Sequence, residues 1–236
     1  MKVYPCWIFS LPRSGSTFLC EILNLTGLFN PFFAEHFNSV INKQIYIKND
    51  FLNNSNNYKF SKVQSLHFYV NRLSWSEIKS VFPDLKIIKL KRNNFFECVV
   101  SYCIAELNSI YAISEDPEKT SLETGCGQYI TSPNKFSELQ VNFFNEKTIA
   151  QNIRFMLIQK KLFDDLLVGI DCLEIDYEEI KSKTCFEKIF QYLEIDCNIK
   201  ELLDKSVIKK TPERPEKKEI EDIVKNIFCN IGLPIQ

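Results

Sequence analysis

The sequence predicts an α/β protein in which helices flank a central, mostly parallel β-sheet. Two observations carry this prediction. Short apolar runs typical of buried strands alternate with segments whose apolar residues recur at helical spacing, and several of the helical segments carry start or stop signals. The chain has 236 residues, of which 45% are hydrophobic and 25% charged. We therefore predict one folded domain that spans residues 1–236.

The first strand–turn–helix unit is predicted at the start of the chain. Residues 3–9 form a short apolar run that is closed by Ser-Leu-Pro, as expected of a buried strand. Apolar residues then recur at helical spacing over residues 18–25, and Gly27 provides a C-terminal cap for this helix.

A second unit follows in the middle of the chain. The pattern Ser74-x-x-Glu77 is a capping box that starts a helix ending before Pro83. Residues 86–90 are predicted to form a strand, and apolar residues over 95–102 recur at the spacing of a helix.

The second half of the chain begins with an irregular stretch. Residues 108–147 contain Gly and Pro and show no sustained periodicity, which predicts a long surface segment. A long amphipathic helix is predicted from Lys147 and a strand over 171–175. The pattern Thr184-x-x-Glu187 predicts a further capped helix.

Composition excludes several classes of function. The formal net charge is -1, which argues against a broad nucleic-acid surface. The nine Cys form no C-x-x-C pair, so a reduced, cytoplasmic protein is expected. Two His and scattered Cys suggest no metal site, and no apolar stretch reaches the roughly 20 residues that would span a bilayer.

The first candidate site is the turn between the first strand and helix, with the residues Arg13, Ser14, Gly15, Ser16 and Thr17. A helix N-terminus after a small-residue turn offers free amides to an anion, and Gly allows close approach. Arg adds a permanent forked charge. The pattern G-x-x-x-x-G-K-[ST] of nucleoside-triphosphate-binding loops is absent. A plain helix cap is the alternative interpretation.

The second candidate site follows the strand over residues 86–90. Arg92 lies just beyond this strand, and Ser101 comes nine positions later on the following helix. Because the carboxyl ends of parallel strands share one edge of the sheet, Arg92 is expected to point into the same crevice as Arg13. The alternative is a solvated charge at a strand end.

Together the two segments resemble the sulfotransferases that use 3′-phosphoadenosine 5′-phosphosulfate (PAPS). Residues 12–19 are similar to the 5′-phosphosulfate loop of that superfamily, and Arg92 with Ser101 is similar to its 3′-phosphate motif. The nearest similarity is to the bacterial trehalose 2-sulfotransferase type. It extends to residues 175–178 and to Thr26, Gly27, Pro31, Glu35 and Phe37.

The resemblance implies a P-loop-like three-layer fold and transfer of a sulfuryl group from PAPS to a hydroxyl, with no metal. The product of the donor is the 3′,5′-bisphosphate PAP, and the implied acceptor is a small molecule, a carbohydrate or glycolipid. The long segment near residues 108–147 would then lie on the acceptor side. Arg13 would stabilise the departing charge, residues 14–17 would hold the 5′ end, and Arg92 with Ser101 would bind the 3′-phosphate.

The resemblance also suggests which residue is the base. It places an acid at Glu35, which makes this carboxylate the first candidate to accept the proton of the acceptor hydroxyl. His36 is the second candidate, because imidazole titrates near neutral pH. Two other functions stay open: a P-loop-like nucleotide or sugar kinase, and a catalytically silent nucleotide-binding protein.

Overall fold

The fold consists of a parallel β-sheet with helices on both faces and a smaller second sheet. The computed structural model describes residues 3–29, 51–53, 55–108, 110–114, 123–124, 128–131, 145–206, 208–209 and 217–235. The strands are β1 (Cys6–Ser10), β2 (Phe60–Val63), β3 (Lys86–Lys91), β4 (Ile110–Ser114), β5 (Glu123–Thr124), β6 (Gln128–Thr131), β7 (Leu173–Asp176) and β8 (Ile208–Lys209). The helices are α1 (Ser16–Leu25), α2 (Ser65–Val70), α3 (Trp75–Val81), α4 (Phe95–Asn108), α5 (Glu146–Leu166), α6 (Lys183–Leu193), α7 (Ile199–Lys205) and α8 (Lys217–Asn230).

The main sheet has the strand order β2-β1-β3-β7, and all of its pairs are parallel. From β1 the chain passes through α1 to β2 on one side, whereas from β3 it continues to β7 on the other. The connections after β1 and β3 therefore diverge, which makes the carboxyl ends of these two neighbouring strands the switch point of the sheet. Ligands of open α/β sheets bind in the crevice at such a point.

The three-layer arrangement predicted from the sequence is confirmed by the packing of β1. Trp7 and Phe9 belong to the core on one face of the sheet, together with buried residues of α2, α3, α4, α5 and α8. Cys6 and Ile8 belong to the core on the other face, with residues of α1, α6 and α7. Successive side chains of a strand point to opposite faces, so the continuous apolar run at the start of the chain serves both cores.

A second, mixed sheet has the order β5-β6-β4-β8. Three of its strands lie within residues 108–147, where the sequence shows no periodicity. They contain two to five residues each, and β4 pairs with β8, which lies far along the chain. Strands this short carry little alternation, and non-local pairing forms them, so a local pattern could not reveal them.

The two predicted capping boxes have different outcomes. The first is confirmed: Ser74 Oγ accepts the Glu77 amide at 3.3 Å, and Glu77 Oε2 accepts the Ser74 amide at 3.1 Å. The second is wrong, because α6 begins two residues earlier than predicted. Ser182 is its N-cap and accepts the amide of Cys185 at 3.1 Å, whereas Thr184 already lies inside the helix.

This geometry predicts that only one of the two hydroxyls stabilises α6. We expect Ser182→Ala to lower the free energy of unfolding by about 1 kcal/mol, since an N-cap hydroxyl is lost. Thr184→Ala is the matched control and should leave stability nearly unchanged. Urea denaturation of both variants measures the difference, and an equal or larger loss in Thr184→Ala would contradict the assignment.

Candidate functional site

The predicted donor-site residues all lie at the switch point of the main sheet. Arg13, Ser14 and Gly15 form the turn after β1, and Ser16 and Thr17 begin α1. On the neighbouring strand, Arg92 directly follows β3, and Ser101 lies on α4. In the described part of the chain, no group of three or more His, Cys, Asp and Glu could hold a metal ion.

Two hydrogen bonds join the turn after β1 to the segment after β3. Arg92 Nη1 donates to the carbonyl of Arg13 at 2.9 Å, and Arg13 Nε donates to Ser101 Oγ at 3.1 Å. Arg13 and Arg92 therefore lie side by side, as the parallel pairing of β1 and β3 predicts. The residues touch although 79 and 88 positions separate the two pairs in the chain.

The backbone of the turn presents the start of α1 to this crevice. Gly15 is the N-cap residue with φ 77°, in the left-handed region, and α1 follows at once. The first intrahelical bond runs from the Leu19 amide to the Gly15 carbonyl at 3.1 Å, and the amides before it have no acceptor within the helix. The first turn of α1, Ser-Thr-Phe-Leu, has no acidic residue in its sequence. This end of the helix thus favours an anion.

Arg13 is itself held in an unusual backbone conformation. Its φ is 65°, a region that costs a non-glycine residue roughly 1–3 kcal/mol. The bonds from Arg92 to its carbonyl and from its guanidinium to Ser101 restrain it from both sides. Strained residues of this kind cluster at ligand clamps and active sites.

A buried hydrogen bond joins the start of the turn after β1 to the helix α4. The Cys98 thiol donates to the Pro12 carbonyl at 3.1 Å. Burial raises the pKa of this thiol, against the opposing influence of Arg92, the Ser14 hydroxyl and Arg13, so it stays protonated and able to donate at neutral pH. Ser14 is fully buried, and its Oγ makes no hydrogen bond of good geometry to the described residues. The neighbouring thiol is too weak an acceptor to satisfy this hydroxyl.

The electrostatics of the crevice favour an anionic ligand. Burial, followed by the charge of Arg92, lowers the pKa of Arg13 to about 10. The guanidinium therefore remains charged at neutral pH but lies close to a second cation in a partly dehydrated position. An anion placed between the two guanidiniums and the α1 N-terminus would relieve this repulsion and accept charge-assisted hydrogen bonds.

Sequence reasoning assigned no role to Tyr177, which lies at this site. It begins the 3₁₀-helix Tyr177–Glu179, immediately after β7. Arg92 Cζ is 4.6 Å from the centroid of its ring, and a Cβ added to Gly15 would be 2.8 Å from its Cδ2. The only signal in the sequence was the family resemblance of residues 175–178. Contacts of this kind join distant segments and leave no local pattern.

The two candidate bases are not among the residues that the structure describes. Glu35 and His36 lie outside the described residues, as do Pro31 and Phe37.

None of the helices in the ranges given above is long and apolar enough to cross a membrane.

Comparisons with known proteins give a distant structural similarity. No protein-family model matches the sequence, and no curated protein matches it. A solved structure described as "Sulfotransferase Domain from the Curacin Biosynthetic Pathway" aligns over 100% of this chain and 99% of its own, with a TM-score of 0.46 and 11% sequence identity. Function therefore has to be inferred from the residues of the site.

Proposed function

We propose that this protein is a PAPS-dependent sulfotransferase that acts on a hydroxyl of a small molecule. The observation that carries the proposal is the joint placement of Arg13 and Arg92 at the α1 N-terminus, linked by the 2.9 Å bond from Arg92 Nη1 to the Arg13 carbonyl. Two forked cations and a helix N-terminus in one crevice suit a nucleotide that carries two separate phosphate-like groups.

Each element of the crevice has a role in this proposal. The α1 N-terminus and residues 14–17 hold the 5′-phosphosulfate, with Gly15 allowing close approach. Arg13 stabilises the negative charge that develops on the departing nucleotide, because preorganised donors directed at developing charge lower the barrier most. Arg92 and Ser101 bind the 3′-phosphate and set the position of the donor.

The proposed reaction is an in-line displacement at sulfur. The acceptor oxygen forms a bond to sulfur while the bond from sulfur to the bridging oxygen breaks, and its electron pair stays on the 5′-phosphate of the product PAP. The hydroxyl proton passes to a base, for which we propose Glu35, with His36 as the alternative. The similarity to the trehalose 2-sulfotransferase type supports a carbohydrate or glycolipid acceptor.

The kinase alternative would require a different loop. Phosphoryl transfer from ATP normally uses a Lys next to the glycine of the loop and a bound Mg²⁺, whereas Ser16 follows Gly15 here. A nucleotide-binding protein without activity would keep the crevice but not turn over the donor.

One experiment separates these functions. The purified chain is incubated with sulfate-labelled PAPS and a panel of sugars, glycolipids and phenols, and its melting temperature is measured with PAP, ADP and ATP. We expect transfer of label and a larger stabilisation by PAP than by ADP. Stabilisation by ATP with Mg²⁺ but not by PAP would favour a kinase. Stabilisation by PAP with no transfer to the panel would favour a silent binding protein.

The proposed base gives a second prediction. Glu35→Gln is expected to abolish turnover yet keep wild-type affinity for PAP, because the amide cannot accept the hydroxyl proton. His36→Gln is the matched neighbouring control and should retain most of the activity. Turnover and PAP affinity of both variants are measured side by side, and the reverse pattern would assign the base to His36.

A further inference from the structure

Tyr177 occupies the space between the two halves of the donor site. One edge of its ring lies so close to Gly15 that a Cβ added there would be 2.8 Å from Cδ2 and 2.9 Å from Cε2. The face of the ring lies under Arg92, whose Cζ is 4.6 Å from the ring centroid. The same side chain therefore contacts the turn after β1 and the cation after β3.

These contacts fix the guanidinium of Arg92 in two directions. Arg92 Nη1 donates to the Arg13 carbonyl, and this bond fixes how far the Arg92 side chain extends toward the turn after β1. Arg92 Cζ also lies over the ring of Tyr177, within the 6 Å range of a cation–π contact. An arginine held at one nitrogen and on one face keeps its planar fork in a single orientation, and fewer rotamers are lost when an anion binds.

We propose that Tyr177 is a positioning residue for the donor nucleotide, which acts by orienting Arg92. The inference rests on the proposed function, since it names what sets the affinity of that same site for a 3′-phosphate. Tyr177 lies at the end of β7, an edge strand of the main sheet. Its side chain thereby connects the segment after β7 to the segments after β1 and β3, which carry Arg13 and Arg92. The aromatic face of Tyr177 makes the contact with Arg92, and its hydroxyl is not required for this positioning.

A double-mutant cycle tests this inference. The affinity for PAP is measured by calorimetry for the wild type, Tyr177→Leu, Arg92→Ala and the combined variant. Tyr177→Leu keeps apolar bulk but removes the aromatic face, and should weaken PAP binding by about 3- to 30-fold, the range that a cation–π contact supports. The combined variant should bind PAP no more weakly than Arg92→Ala, because Tyr177 acts through that arginine.

Two controls distinguish positioning from a general structural role. Tyr177→Phe keeps the face and should bind PAP within about twofold of the wild type. AMP lacks the 3′-phosphate, so its affinity should change little in Tyr177→Leu. The inference would be overturned if the losses of PAP affinity multiply in the combined variant, or if the Phe and Leu variants lose PAP affinity equally. If Tyr177→Leu does not fold, Tyr177→Met removes the face with an unbranched side chain.

A ligand-free measurement keeps this inference separate from the proposed function. The Arg92–Tyr177 contact joins two side chains of the folded chain itself, so urea unfolding of the same four proteins should also show non-additive losses. Additive unfolding losses would overturn the inference. If the wild type fails to bind PAP while the unfolding losses are coupled, the proposed function fails but the contact between Tyr177 and Arg92 stands.

Discussion

Arg13→Ala should lower the turnover of the proposed sulfuryl transfer by on the order of 10²–10³. Alanine removes the guanidinium that we propose stabilises the departing nucleotide, and it breaks the 3.1 Å bond from Arg13 Nε to Ser101 Oγ. Steady-state kinetics with varied PAPS measure the effect. We expect most of the loss in kcat, because the charge that Arg13 stabilises is largest in the transition state.

The chain offers a matched control for this substitution. Arg72 also has a left-handed backbone, with φ 51°, but it is exposed and lies in the turn after α2. Arg72→Ala therefore removes the same charge and meets the same backbone strain outside the crevice, and its turnover should match that of the wild type. Arg13→Lys keeps the charge without the fork and is expected to fall between the two. Wild-type turnover in Arg13→Ala would refute its catalytic role.

Gly15→Ala should damage both the stability of the protein and its affinity for PAP. A Cβ at this position would lie 2.8 Å from Cδ2 of Tyr177, so either the ring or the turn must move. The φ of 77° adds the strain of a left-handed alanine. We expect the turn to shift and the amides at the α1 N-terminus to lose their alignment, which urea unfolding and calorimetry with PAP both detect.

Gly27→Ala separates the two causes of that loss. Gly27 has nearly the same φ, 73°, but among the described residues no heavy atom lies within 4 Å of an added Cβ. Its substitution should cost only the left-handed strain, about 1–2 kcal/mol. Gly15→Ala should cost about 1–3 kcal/mol more because of overpacking, and it alone should weaken PAP binding. Equal losses in the two variants would show that the ring of Tyr177 gives way freely.

The parts of the site that could be predicted from the sequence are the two segments that carry a local sequence pattern. The strand β1 and the turn that follows it occupy one short segment, and so do β3 and Arg92. Their meeting in one crevice also followed from the sequence, because parallel strands bring their carboxyl ends to one edge. Element ends were less accurate: β1 begins at Cys6, three residues later than its apolar run.

Features that depend on distant contacts could not be predicted. The strand β2 contains Ser61 and Lys62 yet is buried throughout, because its pairing with β1 outweighs its polar composition. The start of α6 depends on which of two nearby hydroxyls meets the helix, and Ser182 does so. The role of Tyr177 appears only when β7 is placed beside β3.

The site is composed of segments that become neighbours only when the sheet has formed. Arg13, Arg92 and Tyr177 follow three different strands, β1, β3 and β7, and the loss of any one pairing separates them. A nucleotide that binds here binds the folded chain and not the unfolded one, so it shifts the folding equilibrium by mass action. At 100 times its dissociation constant it would add about 2.7 kcal/mol to stability. In a cell, the supply of the proposed donor would therefore influence how much of this protein persists, as well as how fast it works.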